Sequence, residues 1–447
     1  MVLACLTLIM SCSDATNSTS EQHSAVSKQE KKSPKEAVDL VVDSIAFQND
    51  FMGSIAVSRA GELIYSRAIG YADVATTKPS NQDTRYRIGS LSKTYTATLI
   101  LKAVEDGALA LEQTIEQFFP NLENAKHIRI VDLLQHHSGI PNFTQDKQFL
   151  TYHTEFKSKQ EMLRIIQGYA SNFTPNSKAE YSNSNYFLLA LVLESVYSKS
   201  YEQILNEHIV QPLGLTATYV GKKVSISQNE AVSYRYTDNW QVTPETDMSL
   251  AFGAGSIVST PNEVSVFMNA LFNGQIVSKE YVKQMKTLKN QFGMGLKHYT
   301  LSGRDAYGHR GSIDGFKSSA VYFPDEQVTL VVTSNGSNDN MEGVFRGVVK
   351  AYFNDAPIAI AADELEKYVG VYTSQSDPSD KVVFTRQANV LIHIIGGEFQ
   401  EQLIYKGQRQ FLFEQMYAPA MLFIFSEDGS ELELTQDAFT GTYIKDS

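Results

Sequence analysis

The chain has 447 residues, of which 43% are hydrophobic and 20% are charged. At roughly 100 to 200 residues per domain, this length predicts two or three domains, or one large domain with an appendage, and the composition excludes disorder for most of the chain. The net charge of −12 excludes a general attraction to nucleic acid or to anionic lipid surfaces. Because both cysteines, Cys5 and Cys12, lie in the first dozen residues, thiol chemistry and a disulfide framework are excluded elsewhere.

The first residues are expected to be an export signal. Residues 1–12 are almost entirely apolar, whereas residues 13–35 have no periodicity and few aliphatic side chains, which indicates a flexible tether. Ile9-Met10-Ser11-Cys12 resembles the lipobox of bacterial lipoproteins, so Cys12 is the candidate lipidation site. No Lys or Arg precedes the apolar run, which leaves open an ordinary secretory signal or a start site upstream. We expect an exported protein of the bacterial cell envelope, anchored by lipid only and facing the periplasm or the cell surface.

The next part of the chain reads as one domain of strands and helices, expected over residues 36–353. Two β-rich runs flank Arg59-Ala60-Gly61-Glu62 and predict a hairpin. A helix follows from about 90 to 105, with Gly107 as its C-cap. Further helices are expected at about 128–136, 159–170, 184–197 and 200–210, then loops to 250, then two strands joined by Asp325-Glu326. This order predicts an α/β (α+β) fold: an antiparallel sheet with helices on both faces and a helical subdomain.

The last part of the chain is expected to form a second, smaller domain. Residues 354–363 have the composition of a linker. Residues 364–447 contain short alternating apolar runs at regular spacing and no clear helix after the first turn. This pattern predicts a small all-β barrel or sandwich.

Ser90-Leu91-Ser92-Lys93 is the S-x-x-K motif of this chain and falls where a strand gives way to a helix. A helix that starts at Ser90 places its Oγ beside backbone amides that favour developing negative charge. The three-residue offset puts Lys93 on the same helical face. One turn can therefore supply a nucleophile and a base. The alternative is that Ser90 is an N-cap and Lys93 a solvated charge.

Two further motifs could complete such a site. In Tyr181-Ser182-Asn183, the phenol could relay protons, and the amide could hold a substrate carbonyl and the lysine. In His309-Arg310-Gly311-Ser312, the glycine would let a substrate backbone approach closely, and the Ser312 N–H could face the same oxyanion as the Ser90 N–H. Second copies of these patterns, at 352–354 and 137–139, are interpreted as core and helix-end packing.

In this order and context, the three motifs resemble the serine β-lactamase and penicillin-binding-protein superfamily, in its branch of class C β-lactamases, D,D-carboxypeptidases, D-aminopeptidases and esterases. The resemblance covers about residues 36–350, including IRIVDLLQHHSGIP, YSNSNYFLLALVLE and GAGSIVSTPNEVSVFMNALFNG. It implies that Ser90 is the acylated nucleophile, Lys93 its base and Tyr181 the proton relay. It also implies that Asn183 orients substrate, that His309 replaces the cation of the third motif, and that the Ser90 and Ser312 amides form an oxyanion hole. The C-terminal strands resemble the lipocalin-like domains of some peptidase members.

The chain departs from the β-lactamase pattern in its third motif. His309-Arg310-Gly311 stands where most relatives have Lys-Thr-Gly or Lys-Ser-Gly, and an imidazole is largely neutral at pH 7. Arg310 could supply a charge, although strand alternation could also point it away. Glu202 fits the E-x-x-L-N of class A β-lactamases by accident, as part of an amphipathic helix. Asn176 replaces the usual glycine ahead of the tyrosine and tolerates a positive φ.

These observations predict a serine hydrolase that cleaves an amide or ester through an acyl-enzyme, with peptidase or esterase activity favoured over β-lactamase activity. The alternatives are a class C-like β-lactamase or D,D-carboxypeptidase, and a non-catalytic binding or sensing protein that keeps the fold. The expected partner is a small molecule or peptide with a carbonyl centre. We expect no cofactor and no metal, because the adjacent His136 and His137 lack a third ligand at helix spacing.

Overall fold

The computed structural model describes residues 33–48, 50–338, 341–353, 360–397, 399–414, 420–436 and 439–446. The expected leader, Cys12, nearly all of the tether and most of the 354–363 linker lie outside these residues. Within the described ranges, no helix has both the length and the apolarity required to cross a bilayer.

The helices occupy most of the middle of the chain. They are α1 (Pro34–Gln48), α2 (Ser92–Glu105), α3 (Ile130–Leu134), α4 (Phe149–Tyr152), α5 (Lys159–Gln167), α6 (Asn183–Tyr197), α7 (Tyr201–Leu205), α8 (Met248–Gly255), α9 (Pro261–Phe272), α10 (Lys279–Lys286), α11 (Met341–Phe353) and α12 (Ala362–Glu366). The four longer helices expected between 128 and 210 correspond to α3, α5, α6 and α7, and the last continues as a π-helical turn, Asn206–Val210.

The strands lie at the two ends of the chain, with short ones between. Those up to residue 353 are β1 (Phe51–Arg59), β2 (Glu62–Ile69), β3 (Tyr71–Asp73), β4 (Lys78–Pro79), β5 (Tyr86–Arg87), β6 (Tyr219–Val220), β7 (Tyr234–Tyr236), β8 (Trp240–Val242), β9 (Ile257–Ser259), β10 (Lys297–Leu301), β11 (Arg304–Ile313), β12 (Phe316–Phe323) and β13 (Val328–Ser337). The C-terminal ones are β14 (Gly370–Ser374), β15 (Lys381–Gln387), β16 (Val390–Ile395), β17 (Phe399–Gln402), β18 (Ile404–Gly407), β19 (Gln410–Phe413), β20 (Met421–Phe425), β21 (Glu431–Gln436) and β22 (Phe439–Lys445).

The sheet of the N-terminal domain, expected over residues 36–353, has the strand order β10-β11-β12-β13-β1-β2, and every neighbouring pair is antiparallel. Both predicted hairpins are confirmed, although β12 and β13 are joined by residues 324–327 rather than by two residues. The two parts of the sheet are joined by the pairing of β1, from the start of the domain, with β13, from its end. That pairing brings the N-terminal hairpin and the third motif into one sheet.

Helices cover both faces of this sheet, as predicted. Successive residues of β1 alternate between the faces: Ile55 belongs to the core formed with α1 and α11, whereas Ala56 belongs to the core formed with α2 and α9. On the second face, Phe272 of α9 stacks on Tyr322 of β12 with ring centroids 4.5 Å apart. The helical subdomain extends this second core, and α6 lies at its centre with most of its residues buried.

The C-terminal strands form one nine-stranded antiparallel sheet, in the order β17-β16-β15-β14-β22-β21-β20-β19-β18. Consecutive strands β17 and β18 are its two edges, so the sheet curls into a nearly closed barrel rather than a sandwich. Its interior is largely aromatic: Tyr368, Tyr372, Phe384, Phe423 and Phe425 are all buried. Within the predicted all-β domain, α12 is the one short helix among the described residues.

The C-terminal β-domain contacts the N-terminal domain at the β10–β11 turn. The Gly303 N–H donates to Glu414 Oε1 at 2.7 Å, and Arg346 Nη1 of α11 lies 3.4 Å from Glu414 Oε2. Burial raises the pKa of the Glu414 carboxyl, and the backbone and Arg346 oppose that shift.

Candidate active site

The side chains of the first two motifs meet around one oxygen atom. Ser90 Oγ lies 3.1 Å from Lys93 Nζ and accepts a hydrogen bond from Tyr181 OH at 2.8 Å. Lys93 Nζ also donates to Asn183 Oδ1 at 2.7 Å. Residues about 90 positions apart in the sequence are therefore within hydrogen-bond reach of one another, which is the geometry that nucleophilic catalysis requires.

Ser90 lies in a 3-10 turn, Gly89–Leu91, rather than in the first turn of the helix. Helix α2 begins at Ser92, two residues later than expected. No side chain caps either element, so the alternative that Ser90 serves as an N-cap is wrong. The hydroxyl instead points at Lys93 and Tyr181.

Lys93 is buried completely, and burial holds its pKa well below the ordinary value of 10.5. Its Nζ donates to two groups that can only accept, Asn183 Oδ1 and the Ala254 carbonyl, both at 2.7 Å. A neutral amine has two N–H bonds and one lone pair. Because both N–H bonds are taken, the lone pair remains for the proton of Ser90. The alternative of a solvated Lys93 is therefore wrong.

The Ala254 carbonyl was not foreseen from the sequence. Helix α8 is interrupted at Phe252, whose φ of 36° and ψ of −133° are not helical. Such a conformation is strained for a bulky residue. The residues after the interruption bring the Ala254 carbonyl to Lys93. The signal available in the sequence was the family-like stretch GAGSIVST, which identifies the segment but not the carbonyl.

Tyr181 is the group opposite Lys93. Its phenol donates to Ser90 Oγ, and burial raises its pKa above the ordinary value of 10. Lys93 Nζ lies 4.9 Å from the centre of the Tyr181 ring. The phenol consequently keeps its proton at neutral pH and can give it to a leaving group.

Asn183, at the start of α6, is held in one orientation by the 142–144 loop. Its Nδ2 donates to Thr144 Oγ1 at 3.0 Å, and its backbone N–H donates to Asn142 Oδ1 at 3.1 Å. Thr144 Oγ1 in turn donates to Asn142 Oδ1. These bonds turn the Asn183 carbonyl towards Lys93 and leave one amide hydrogen for a ligand. Neither loop residue carries a motif, so sequence reasoning missed both.

His309, on β11, is buried and neutral. Burial lowers its pKa to about 3. The Nδ1–H donates to the Arg310 carbonyl at 2.6 Å, so Nε2 carries a lone pair. His309 therefore stands at the position of the third-motif cation without a charge, as expected for an imidazole, and its remaining ring nitrogen is an acceptor.

Arg310 points away from Ser90. Its Nη1 lies 2.8 Å from Glu342 Oε2 of α11, and its guanidinium lies over the Tyr299 and Phe345 rings at 5.1 and 5.6 Å. Strand alternation places it on the opposite face of the sheet from His309. Arg310 therefore does not supply a charge beside Ser90, and strand alternation points it away, which was one of the two expectations.

Two glycines bring β11 against the Ser90 turn. A Cβ on Gly311 would lie 1.9 Å from the Ile88 carbonyl oxygen, and one on Gly89 would lie 2.8 Å from the Ser312 nitrogen. Gly89 also has a φ of +51°. The glycine of the third motif is thus required by the chain's own backbone, while its contact with substrate stays a prediction. The Ser312 amide lies directly beside the residue that precedes Ser90, as an oxyanion hole requires.

The remaining sequence expectations have clear outcomes. Asn176 has a φ of +68°, as expected for the residue in a glycine position. Glu202 is exposed on α7 and pairs with Lys222 at 3.8 Å. It lines a cavity of about 800 Å³ whose lining includes none of the reactive side chains. Tyr352 is buried in the core between the sheet and α11.

Lys297 and Phe292 lie next to the reactive side chains, and sequence reasoning missed both. The Lys297 Nζ lies 5.1 Å from the centre of the Phe292 ring, which itself lies 6.4 Å from the Tyr181 ring. Burial lowers the pKa of Lys297, as does the Arg310 charge. Lys297 is also close enough to His309 to lower the pKa of that imidazole. Among the described residues, no carboxylate pairs with Lys297.

A sheet-and-helix domain that presents a serine, a buried lysine and a tyrosine in mutual contact defines a serine hydrolase fold. The sequence matches the Beta-lactamase family over residues 48–352. The chain belongs to this family, and the expected superfamily is confirmed.

Named relatives agree with this assignment. The chain is 27% identical over 331 residues to the penicillin-binding protein PbpX of Bacillus subtilis, covering 73% of this chain and 82% of the relative. The D-amino acid amidase of Ochrobactrum anthropi, solved with D-phenylalanine, is 25% identical with a TM-score of 0.65 and covers 72% of this chain and 99% of its own. An octameric penicillin-binding protein homologue from Pyrococcus abyssi is 21% identical, with a TM-score of 0.63. The match covers 91% of this chain and 99% of the homologue, so the similarity in fold includes the β-domain of this chain.

Proposed function

We propose that this protein is a hydrolase of the cell envelope that cleaves an amide or ester through an acyl-enzyme on Ser90. The observation that carries the proposal is the contact of Ser90 Oγ with a buried lysine and a buried tyrosine. The substrate would be a peptide or small molecule with a carbonyl centre. The lipobox-like Cys12 supports attachment to the membrane through lipid only.

The reaction would begin when the lone pair of Lys93 takes the Ser90 proton and Oγ attacks the carbonyl carbon. The Ser90 and Ser312 amides would stabilise the oxyanion. Tyr181 would then protonate the leaving nitrogen or oxygen as the tetrahedral intermediate collapses, and the Lys93 ammonium would return a proton to Tyr181. Water would attack the acyl-enzyme by the same path in reverse, releasing the acid and regenerating Ser90.

Neutral His309 supports a peptide or ester substrate over a β-lactam. A lysine in the third motif offers a permanent charge to the β-lactam carboxylate, whereas His309 offers an acceptor. The D-amino acid amidase among the relatives suggests D-amino acid amides as the first amides to test.

Lys297 favours a second candidate, a D,D-carboxypeptidase. A half-buried ammonium group beside the reactive cluster, with no carboxylate paired to it among the described residues, would attract the terminal carboxylate of a peptide. D-alanyl-D-alanine peptides belong in the substrate panel for this reason.

The test compares the wild type with Ser90→Ala on p-nitrophenyl acetate, D-phenylalanine amide, a D-alanyl-D-alanine peptide and nitrocefin. We expect Ser90→Ala to lose activity by a factor on the order of 10³ or more and to lose labelling by a fluorophosphonate probe. Ser177→Ala, at an exposed serine, is the matched control and should behave as the wild type. Unchanged hydrolysis in Ser90→Ala would contradict the role of Ser90 as nucleophile. No hydrolysis and no fluorophosphonate label in the wild type would favour the non-catalytic binding protein, and a nitrocefin rate far above the others would favour a β-lactamase.

A further inference from the structure

The adjacent histidines that follow α3 differ sharply in their surroundings. His136 is buried in the reactive region, whereas His137 binds the Lys289 carbonyl through Nε2 at 3.4 Å. His136 also has a φ of +61°, a conformation that costs free energy for a residue other than glycine. The structure around it has to maintain that backbone, and the hydrogen bonds of the His136 carbonyl and Nδ1 both lead to the 180–182 segment.

Three contacts join His136 to the residues on either side of Tyr181 and to Tyr181 itself. The His136 carbonyl accepts from the Glu180 N–H at 2.9 Å, and Nδ1 accepts from the Ser182 N–H at 3.1 Å. Between these bonds, the imidazole packs on the Tyr181 ring with centroids 4.6 Å apart. The Phe292 ring closes the other side, edge-on at 4.9 Å.

This arrangement requires a neutral imidazole. Nδ1 can accept from an N–H only while it carries a lone pair, so the ring proton is on Nε2. Burial holds the pKa of His136 well below its ordinary value. His136 therefore keeps its acceptor throughout the neutral range.

We propose that His136 is a positioning residue for Tyr181: it holds the 180–182 backbone and the Tyr181 ring so that the phenol stays directed at Ser90 Oγ. The inference rests on the proposed function, because it assumes that Tyr181 moves protons in the reaction. A misplacement of about 1 Å can reduce an enzymatic rate by about a hundredfold. His136 acts through Tyr181 and does not itself contact Ser90 in this arrangement.

Two substitutions separate the parts of this contact. His136→Phe keeps a ring against Tyr181 but leaves the Ser182 N–H without its acceptor. His136→Asn keeps a polar acceptor and tolerates the positive φ. With p-nitrophenyl acetate, we expect kcat to fall between about tenfold and a hundredfold in His136→Phe and less in His136→Asn, with KM nearly unchanged. His137→Asn is the matched control and should keep the wild-type rate.

The deciding measurement is a double-mutant cycle with Tyr181→Phe, which alone should cost about 10² to 10⁴ in kcat. If His136 acts through Tyr181, either His136 substitution adds less than about twofold to the loss in Tyr181→Phe. Full multiplication of the two losses, or wild-type kcat in His136→Phe, would overturn the proposal. Thermal unfolding checks each variant, and the His136→Asn cycle decides if His136→Phe does not fold. Ser90→Ala in the same assay tests the proposed function separately.

Discussion

At the scale of single residues, burial decides the protonation of the site. Lys93 loses hydration and pairs with no carboxylate in the described part of the chain, so its neutral form is favoured. Burial favours the protonated phenol of Tyr181 and the neutral imidazole of His309. The ordinary pKa values of lysine and tyrosine are nearly equal, and burial moves them in opposite directions. A base and an acid can thus lie on the same serine oxygen in the protonation states that acyl transfer requires.

A pH profile tests this assignment. Since only neutral Lys93 can accept the Ser90 proton, kcat/KM should rise with pH through the lowered pKa of Lys93 and level off well below pH 10.5. His309, with a pKa of about 3, is already neutral over this range. The rising limb of the pH profile should therefore remain in His309→Gln. Loss of the limb in that variant would contradict the assignment. Lys93→Arg, charged at every accessible pH, should lose about 10² to 10⁴ in rate.

At the scale of elements, the site depends on how closely β11 approaches the turn before α2. A strand can lie against a tight turn only where side chains are absent from the contact. Gly89 and Gly311 meet this condition from the two sides. The hydrogen bond from Ser318 Oγ of β12 to the Ile88 carbonyl, at 2.7 Å, fixes the same turn to the sheet.

We expect Gly89→Ala to separate the Ser312 amide from the Ser90 turn and to reduce the acylation rate by about 10² to 10³, the effect of losing one oxyanion donor. Gly214→Ala is the control: Gly214 has a similar φ of +65°, but nothing lies within 4 Å of its added Cβ. Fluorophosphonate labelling rates and thermal midpoints of both variants make the comparison. Equal rate losses in the two would show that backbone strain, not the Ser312 contact, is responsible.

At the scale of the whole molecule, an ion-pair chain connects the two domains. Glu414 of the β-domain lies against Arg346, Arg346 pairs with Glu342 on the same helix, and Glu342 pairs with Arg310, the neighbour of His309. The β-domain therefore contacts the same hairpin, β10–β11, that carries the third motif.

Glu414→Ala should destabilise this contact by roughly 1 to 3 kcal/mol, seen as a lower thermal midpoint at pH 7, with exposed Glu433→Ala as the control. Because the folded-state pKa of Glu414 is raised above 4.5, protonation of this carboxyl adds stability that is fully present below pH 4.5 and is lost as the pH rises through the raised value. The hydrogen bond from Gly303 remains at pH 7. Glu414→Gln keeps an acceptor for Gly303 without the buried charge, so its midpoint at pH 7 should equal or exceed that of the wild type. A midpoint as low as that of Glu414→Ala would contradict this account.

The sequence by itself determined the family, the fold class and the residues that meet at Ser90. Hydrophobic periodicity and turn residues are local properties, and the three motifs stand at the ends of elements where local pattern indicates them. Hairpin β1–β2 and helix α6 were placed on this basis. The tertiary structure alone decided what surrounds those residues: the Ala254 carbonyl, the Thr144 hydroxyl, the His136 imidazole and the Lys297 amine. A pKa, a tautomer and a close backbone approach depend on groups that are distant in sequence and become neighbours only when the chain is packed.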